Sequence, residues 1–133
     1  PKQPIDPETQ TDDRLLDVDL EDHAYEVLIR RIEDGGVGEA VKLANDHKCQ
    51  ICTNLPMPGH TFLKSNGIPY VEAHHAVPRH LLVRGSLHRS NVISVCAGHH
   101  RQLHYGNASF VKRLPSGFLL FLIDGRDVVI MSN

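Results

Sequence analysis

The chain has 133 residues, 41% of them hydrophobic, enough for one domain with one core of ordinary size. No apolar run approaches the ~20 residues of a membrane helix, and the N-terminus lacks the basic-then-apolar order of a secretory signal. The net charge of −2 conceals a division: residues 1–40 carry 12 acidic and 4 basic side chains, whereas residues 41–133 carry 4 acidic and 10 basic, so a polyanion is repelled by the first part and attracted by the second.

Residues 1–19 are polar, acidic and punctuated by proline, and read as a disordered arm or the tail of a linker. The first residue is Pro1 rather than Met, so the chain is expected to be a piece of a longer protein. The domain proper is expected over residues 20–133. Leu20, Ala24, Val27, Leu28 and Ile32 recur at helical spacing until Gly35-Gly36 stop the run. A second short helix is expected from Gly38 to Asp46 with Ala40, Val41 and Ala44 inward; both helices read as packing supports. The stretch KCQICTNLPMPG reads as a knuckle or loop. Ile68 to Ala73 alternates like a strand leading into His74-His75, and residues 77–90 form a loop. Val92 to Val95 is a second strand, and residues 97–105 form a short helix. Phe118–Ile123 and Val128–Met131 flank an Asp124-Gly125 turn, a hairpin signal.

Three cysteines cannot make a paired disulfide framework. Cys49-x-x-Cys52 and Cys96-x-x-His99 are instead two metal half-sites, 43 residues apart. A tight turn at i, i+3 spacing aims two donors at one ion, and two such turns complete a tetrahedron of thiolate and imidazole suited to structural Zn²⁺. An odd cysteine count, a CxxC pair and a histidine-rich surround point to a metal in a reducing compartment, so a cytoplasmic location is expected.

Seven of the ten histidines lie between positions 74 and 104. On a helix His100 and His104 share one face, and a strand-borne His74 could meet them to complete a three-nitrogen site with open positions. On an extended strand His75 cannot share the direction of His74, which leaves its imidazole for general-base work near neutral pH.

The stretch Tyr70-Val-Glu-Ala-His-His-Ala-Val-Pro-Arg79, followed by Ser90-Asn91-Val-Ile-Ser-Val-Cys96-Ala-Gly-His-His-Arg-Gln-Leu-His-Tyr-Gly106, resembles the HNH endonucleases. Within that family it is most similar to the branch of colicin DNases and McrA-like restriction nucleases, over roughly residues 47–106. The resemblance implies an α+β fold built on the ββα-metal (His-Me finger) motif: two strands, the loop between them and a ligand-bearing helix. Here that motif would carry a structural zinc knuckle, N-terminal supporting helices and a C-terminal β-hairpin. It implies His75 as the base that activates water and His74, His100 and His104 as ligands of a divalent ion. Asn91 would pin the loop, and Glu72 would support the site from behind. Cys49, Cys52, Cys96 and His99 take the zinc positions. Two departures stand out: His99 replaces the commoner Cys, which makes zinc binding weaker and more acid-sensitive, and Arg84-Gly85 replaces the usual Gly-Gly.

The implied activity is metal-dependent hydrolysis of DNA phosphodiester bonds, as the cleavage domain of a restriction or defence enzyme. Mg²⁺, Mn²⁺ and Ni²⁺ all suit the catalytic position, although three imidazoles favour the softer ions. Arg79, Arg84, Arg89 and Arg101, with Lys112 and Arg113, surround the motif and are candidates for phosphate contact. The partners expected are DNA, a fused or associated recognition domain, and a second copy of the chain if both strands are cut together. Two alternatives belong to other classes: a zinc-stabilised nucleic-acid-binding module without catalytic activity, and a zinc domain serving protein contacts.

Overall fold

The computed structural model describes residues 22–55, 61–82 and 85–133. The acidic arm expected over residues 1–19 lies outside them. The chain is mixed α+β, with four helices and two small antiparallel sheets among the described residues.

Helix α1 (Asp22–Asp34) turns Leu28 and Ile32 inward and ends at Gly35. A side chain at Gly35 would put Cβ 2.8 Å from the Arg31 carbonyl oxygen. Helix α2 (Gly36–Ala44) begins two residues earlier than the sequence suggests, and its buried face is Val37, Gly38 and Val41. Ala44 is exposed rather than inward, because the helix is over before its face returns to the core. At Gly38 a Cβ would fall 1.6 Å from the Glu33 carbonyl oxygen and 3.3 Å from Ala73 Cβ. Only glycine lets the first turn of α2 seat against the last turn of α1.

Strands β1 (Glu72–His75) and β2 (Val92–Val95) form a two-stranded antiparallel sheet, with Glu72 opposite Val95, Ala73 opposite Ser94, His74 opposite Ile93 and His75 opposite Val92. The strand expected at Ile68 to Ala73 starts later and runs through His74 and His75 instead. Side chains alternate across a strand and paired residues share a face, so the ribbon divides two cores. Ala73 and Val92 pack with Ile32, Val37 and Val41 on the side of α1 and α2. Ile93 and Val95 pack on the other side with Ile51, Leu119, Phe121, Ile123, Val128 and Ile130.

The loop between β1 and β2 contains two short 3-10 turns, Arg79–Leu81 and Arg89–Asn91. Within the cysteine stretch, read as a knuckle or loop, Gln50–Thr53 forms one helical turn, α3. Helix α4 (Ala97–Tyr105) follows β2 directly. The C-terminal unit is a three-stranded sheet in the order β3 (Ala108–Arg113), β4 (Leu119–Ile123), β5 (Arg126–Ile130). Hairpin β4–β5 turns on Asp124 and Gly125, at φ 50° and 82°, the left-handed pair that a two-residue turn between twisted strands requires. Strand β3 escaped the sequence reading because four of its six residues, Val111 among them, are exposed and it bulges between Phe110 and Lys112. No helix among the described residues is long and apolar enough to cross a membrane.

Candidate metal centres and the histidine site

The two cysteine turns fold alike. Cys49 precedes α3 and its Sγ accepts the Cys52 backbone N–H at 3.4 Å; Cys96 precedes α4 and its Sγ accepts the His99 backbone N–H at 3.4 Å. Each sulfur thus caps the helix whose next ligand it faces. The turns are held together from behind by Gln50, whose Oε1 accepts the Ser94 backbone N–H at 3.0 Å and whose Nε2 donates to the Met131 carbonyl at 3.1 Å.

The result is a buried cluster of Cys49, Cys52, Cys96 and His99 that could hold a metal ion such as zinc. His99 Nδ1 lies 3.5 Å from Cys49 Sγ, 3.3 Å from Cys52 Sγ and 3.4 Å from Cys96 Sγ, and the sulfurs of Cys52 and Cys96 are 3.9 Å apart. A tetrahedral zinc with bonds of about 2.3 Å to sulfur and about 2.0 Å to nitrogen needs S···N edges of roughly 3.5 Å and S···S edges of roughly 3.8 Å. Four of the six donor–donor edges match those such an ion needs, and all four atoms lie within 4.8 Å of one another. The thiols are already polarised against one another: a hydrogen bond from Cys49, with help from His99, holds Cys96 far below the ordinary thiol range, at about 3, while the same bond and burial push Cys49 up. A cation at the centre removes that asymmetry by favouring thiolate at every sulfur.

A second cluster lies along another face of α4. His74 reaches it from β1, and His100 and His104 from successive turns of the helix. His100 Nε2 and His104 Nε2 are 3.1 Å apart, and the His74 ring centre is 5.0 Å from each of theirs. Two imidazoles on one divalent ion, with bonds of about 2.0–2.1 Å, bring their nitrogens to roughly 3.0–3.4 Å. His74 is 9% exposed, and its Nδ1 is buried with no hydrogen-bond partner among the described residues. Such an orphan is uncommon in folded proteins and marks a position meant for something else. Burial, then the charges of His100 and His104, hold His74 well below the usual imidazole range, so it stays neutral and able to ligate. Burial and His100 lower His104 as well. The residues present therefore fit a divalent ion.

Glu72 lies on the same face of β1 as His74. Its Oε1 is 3.1 Å from His100 Nδ1, and its Oε2 accepts the Tyr70 hydroxyl at 2.8 Å. A carboxylate behind Nδ1 leaves His100 Nε2 as the lone pair facing the cluster, the usual support of a ligating histidine. Tyr70 was not singled out by sequence.

His75 points the other way, as the alternation of the strand demands. Its side chain is 4% exposed and both ring nitrogens are engaged. Nε2 is 3.0 Å from the Leu87 carbonyl oxygen, to which it donates. Nδ1 is 3.1 Å from Glu33 Oε2, and the same oxygen accepts the His75 backbone N–H at 2.6 Å. The ring is oriented, but it is enclosed rather than free. Glu33 sits 42 residues before His75 on α1, outside the stretch that carries the resemblance, and no spacing rule could have selected it.

Asn91 is buried where the loop returns to β2. Its Nδ2 donates to the Gly85 carbonyl at 3.2 Å, its backbone oxygen accepts the Ala76 N–H at 2.7 Å, and its Oδ1 accepts from Arg113. It ties the two ends of the loop together. Arg113 also donates to the Ser90 and Gly117 carbonyls, so this exposed guanidinium helps hold the loop. Of the other basic candidates, Arg101 and Lys112 are exposed and Arg89 is partly buried with its Nε unpartnered among the described residues. Arg84 and the side chain of Arg79 lie outside the described residues. Comparison of the chain with known protein families, with curated proteins and with solved structures finds no match.

Proposed function

We propose that the protein is a metal-dependent HNH-type endonuclease that hydrolyses DNA phosphodiester bonds, and that β1, β2 and α4 are its ββα-metal unit. One observation carries the reading: His74, His100 and His104 converge on one point, on a strand–strand–helix unit anchored by the cysteine cluster. His74, His100 and His104 would hold the divalent ion, Mg²⁺, Mn²⁺ or Ni²⁺. When bound, that ion supplies Lewis-acid stabilisation of charge on phosphoryl oxygens. Glu72 fixes the ring of His100, and Asn91 keeps the loop against β1.

His75 is the general base. Its Nδ1–H stays on Glu33; Nε2 first gives the proton it shares with the Leu87 carbonyl to solvent, and the lone pair so freed then takes the proton of a water. The oxygen of that water forms a bond to phosphorus, the P–O3′ bond breaks, and the leaving oxygen gains a proton from solvent. The products carry 5′-phosphate and 3′-hydroxyl ends. Arg101 and Lys112 are the exposed cations suited to the DNA backbone. The biological role proposed, cleavage within a restriction or defence enzyme that finds its site through another domain, rests on the resemblance alone.

A second reading, a zinc-stabilised nucleic-acid-binding module without catalysis, is favoured by the enclosure of His75, which puts a carbonyl where water must stand. Supercoiled plasmid separates the two. Incubation with Mg²⁺, Mn²⁺ or Ni²⁺ is expected to give nicked or linear DNA, and EDTA to prevent it. Salt-sensitive binding without cutting under any metal would favour the binding module.

A further inference from the structure

We infer that Glu33 is the positioning residue of this site, holding His75 so that only its Nε2 can exchange a protein partner for water. The inference rests on the nuclease reading and extends it to helix α1.

The two bonds to Glu33 are the ground for it. A single carboxylate oxygen accepts both the backbone N–H and the ring Nδ1 side of the same residue, at 2.6 Å and 3.1 Å. That double contact fixes the ring about χ1 and χ2 together. It also fixes which nitrogen is spent: Nδ1 faces an ionisable acceptor that belongs to a helix, and Nε2 faces the Leu87 carbonyl, which belongs to a loop. A purely structural acceptor for one backbone N–H would need no charge. Glu33 has a side chain only 12% exposed, and burying a carboxylate is costly unless a cationic or strongly donating partner answers it. An imidazole that gains positive charge on taking a proton from water is such a partner. The carboxylate then stabilises the ring more strongly after proton transfer than before, which is how a positioning acid speeds a step it never touches.

The fold also holds Glu33 in place. Gly38 lets α2 pack onto the Glu33 carbonyl, so the last turn of α1 cannot slide away from β1. No group on β1, β2 or the loop duplicates the contact among the described residues.

The test uses Glu33→Gln and Glu33→Ala in the full chain, with Mn²⁺ and a short DNA duplex as substrate. Two quantities are read: kcat and KM for cutting, and the His75 ring N–H signals in ¹H–¹⁵N spectra, assigned by their absence in His75→Ala. The backbone N–H of His75 can bond only to oxygen, so in Glu33→Gln it turns the side-chain amide oxygen-first and preserves the Nδ1–H bond without the charge. The expected order of kcat is parent, then Glu33→Gln lower by severalfold, then Glu33→Ala lower by tenfold or more, with KM within twofold throughout. The protected Nδ1–H signal should persist in Glu33→Gln and vanish in Glu33→Ala. If Glu33→Ala does not fold, Glu33→Gln decides: reduced kcat with the signal kept supports the proposal, and parental kcat overturns it. Parental kcat in Glu33→Ala, or a loss confined to KM, also overturns it. A parent that cuts nothing with any metal sinks the nuclease reading itself, an outcome distinct from an active parent indifferent to Glu33.

Discussion

His74 and His75 are neighbours in the chain, yet they serve opposite faces of the β1–β2 ribbon: His74 joins His100 and His104 on α4, and His75 bonds Glu33 on α1. The alternation of a strand does this without any special device. One dipeptide thereby couples the two halves of the fold, and the predictions below ask what each half contributes.

His75→Ala should remove cleavage by a factor of about 10²–10⁴, the usual contribution of a positioned general base, while zinc content and DNA affinity stay at parental levels. Plasmid nicking, elemental analysis and a binding titration of the same preparations check this. Cleavage at the parental rate would end the assignment of His75 as base.

One zinc per chain is expected in the cysteine cluster, and its removal should unfold the domain. Apparent binding free energies of structural zinc are on the order of 10 kcal/mol, comparable with the whole stability of a small domain. A chelator, or Cys49→Ser, should therefore abolish the cooperative thermal transition followed by circular dichroism. A domain that melts normally without zinc would show that the two apolar cores suffice.

Gly38→Ala should cost at least about 2 kcal/mol, beyond an ordinary surface change, because the added methyl lands on the Glu33 carbonyl rather than on a movable side chain. Urea denaturation measures the loss. The same variant should speed hydrogen exchange at the His75 backbone N–H, since its acceptor moves with α1.

With zinc kept in the cysteine cluster and no ion at His74, His100 and His104, acid should destabilise the fold in a defined window. His74 is held well below its ordinary value of 6.5 by burial and by His100 and His104. The unfolded chain therefore binds a proton that the native site refuses, and stability falls as pH drops below about 6.5. Denaturation curves at pH 7.5, 6.5 and 5.5 should show the decline, and His74→Phe should flatten it.

Much of this architecture was legible in the sequence. Strand β2 and helix α4 fall where the short apolar run Val92 to Val95 and the residues after Cys96 put them, and the two half-sites meet as their spacing requires. Short-range pattern decides these features, so a short window contains them. Glu33 and Tyr70 were not legible, because their roles come from how α1 and the 61–70 segment dock, and docking leaves no periodicity. Strand β3 was hidden for a related reason: with most of its residues exposed, it owes its place to β4 rather than to its own apolar content.

The paired cysteine caps bear on how the protein meets oxidants. Cys49 and Cys96 each hold a helix start through sulfur, and Cys96 does so for the helix that carries His100 and His104. Oxidation of these thiols would strip the knuckle of its ion and loosen the first turn of α4 in the same event. The histidine site contains no sulfur, yet peroxide would disarm it from a distance, and a thiol reductant with fresh zinc would restore it as long as oxidation had stopped at the reversible stages.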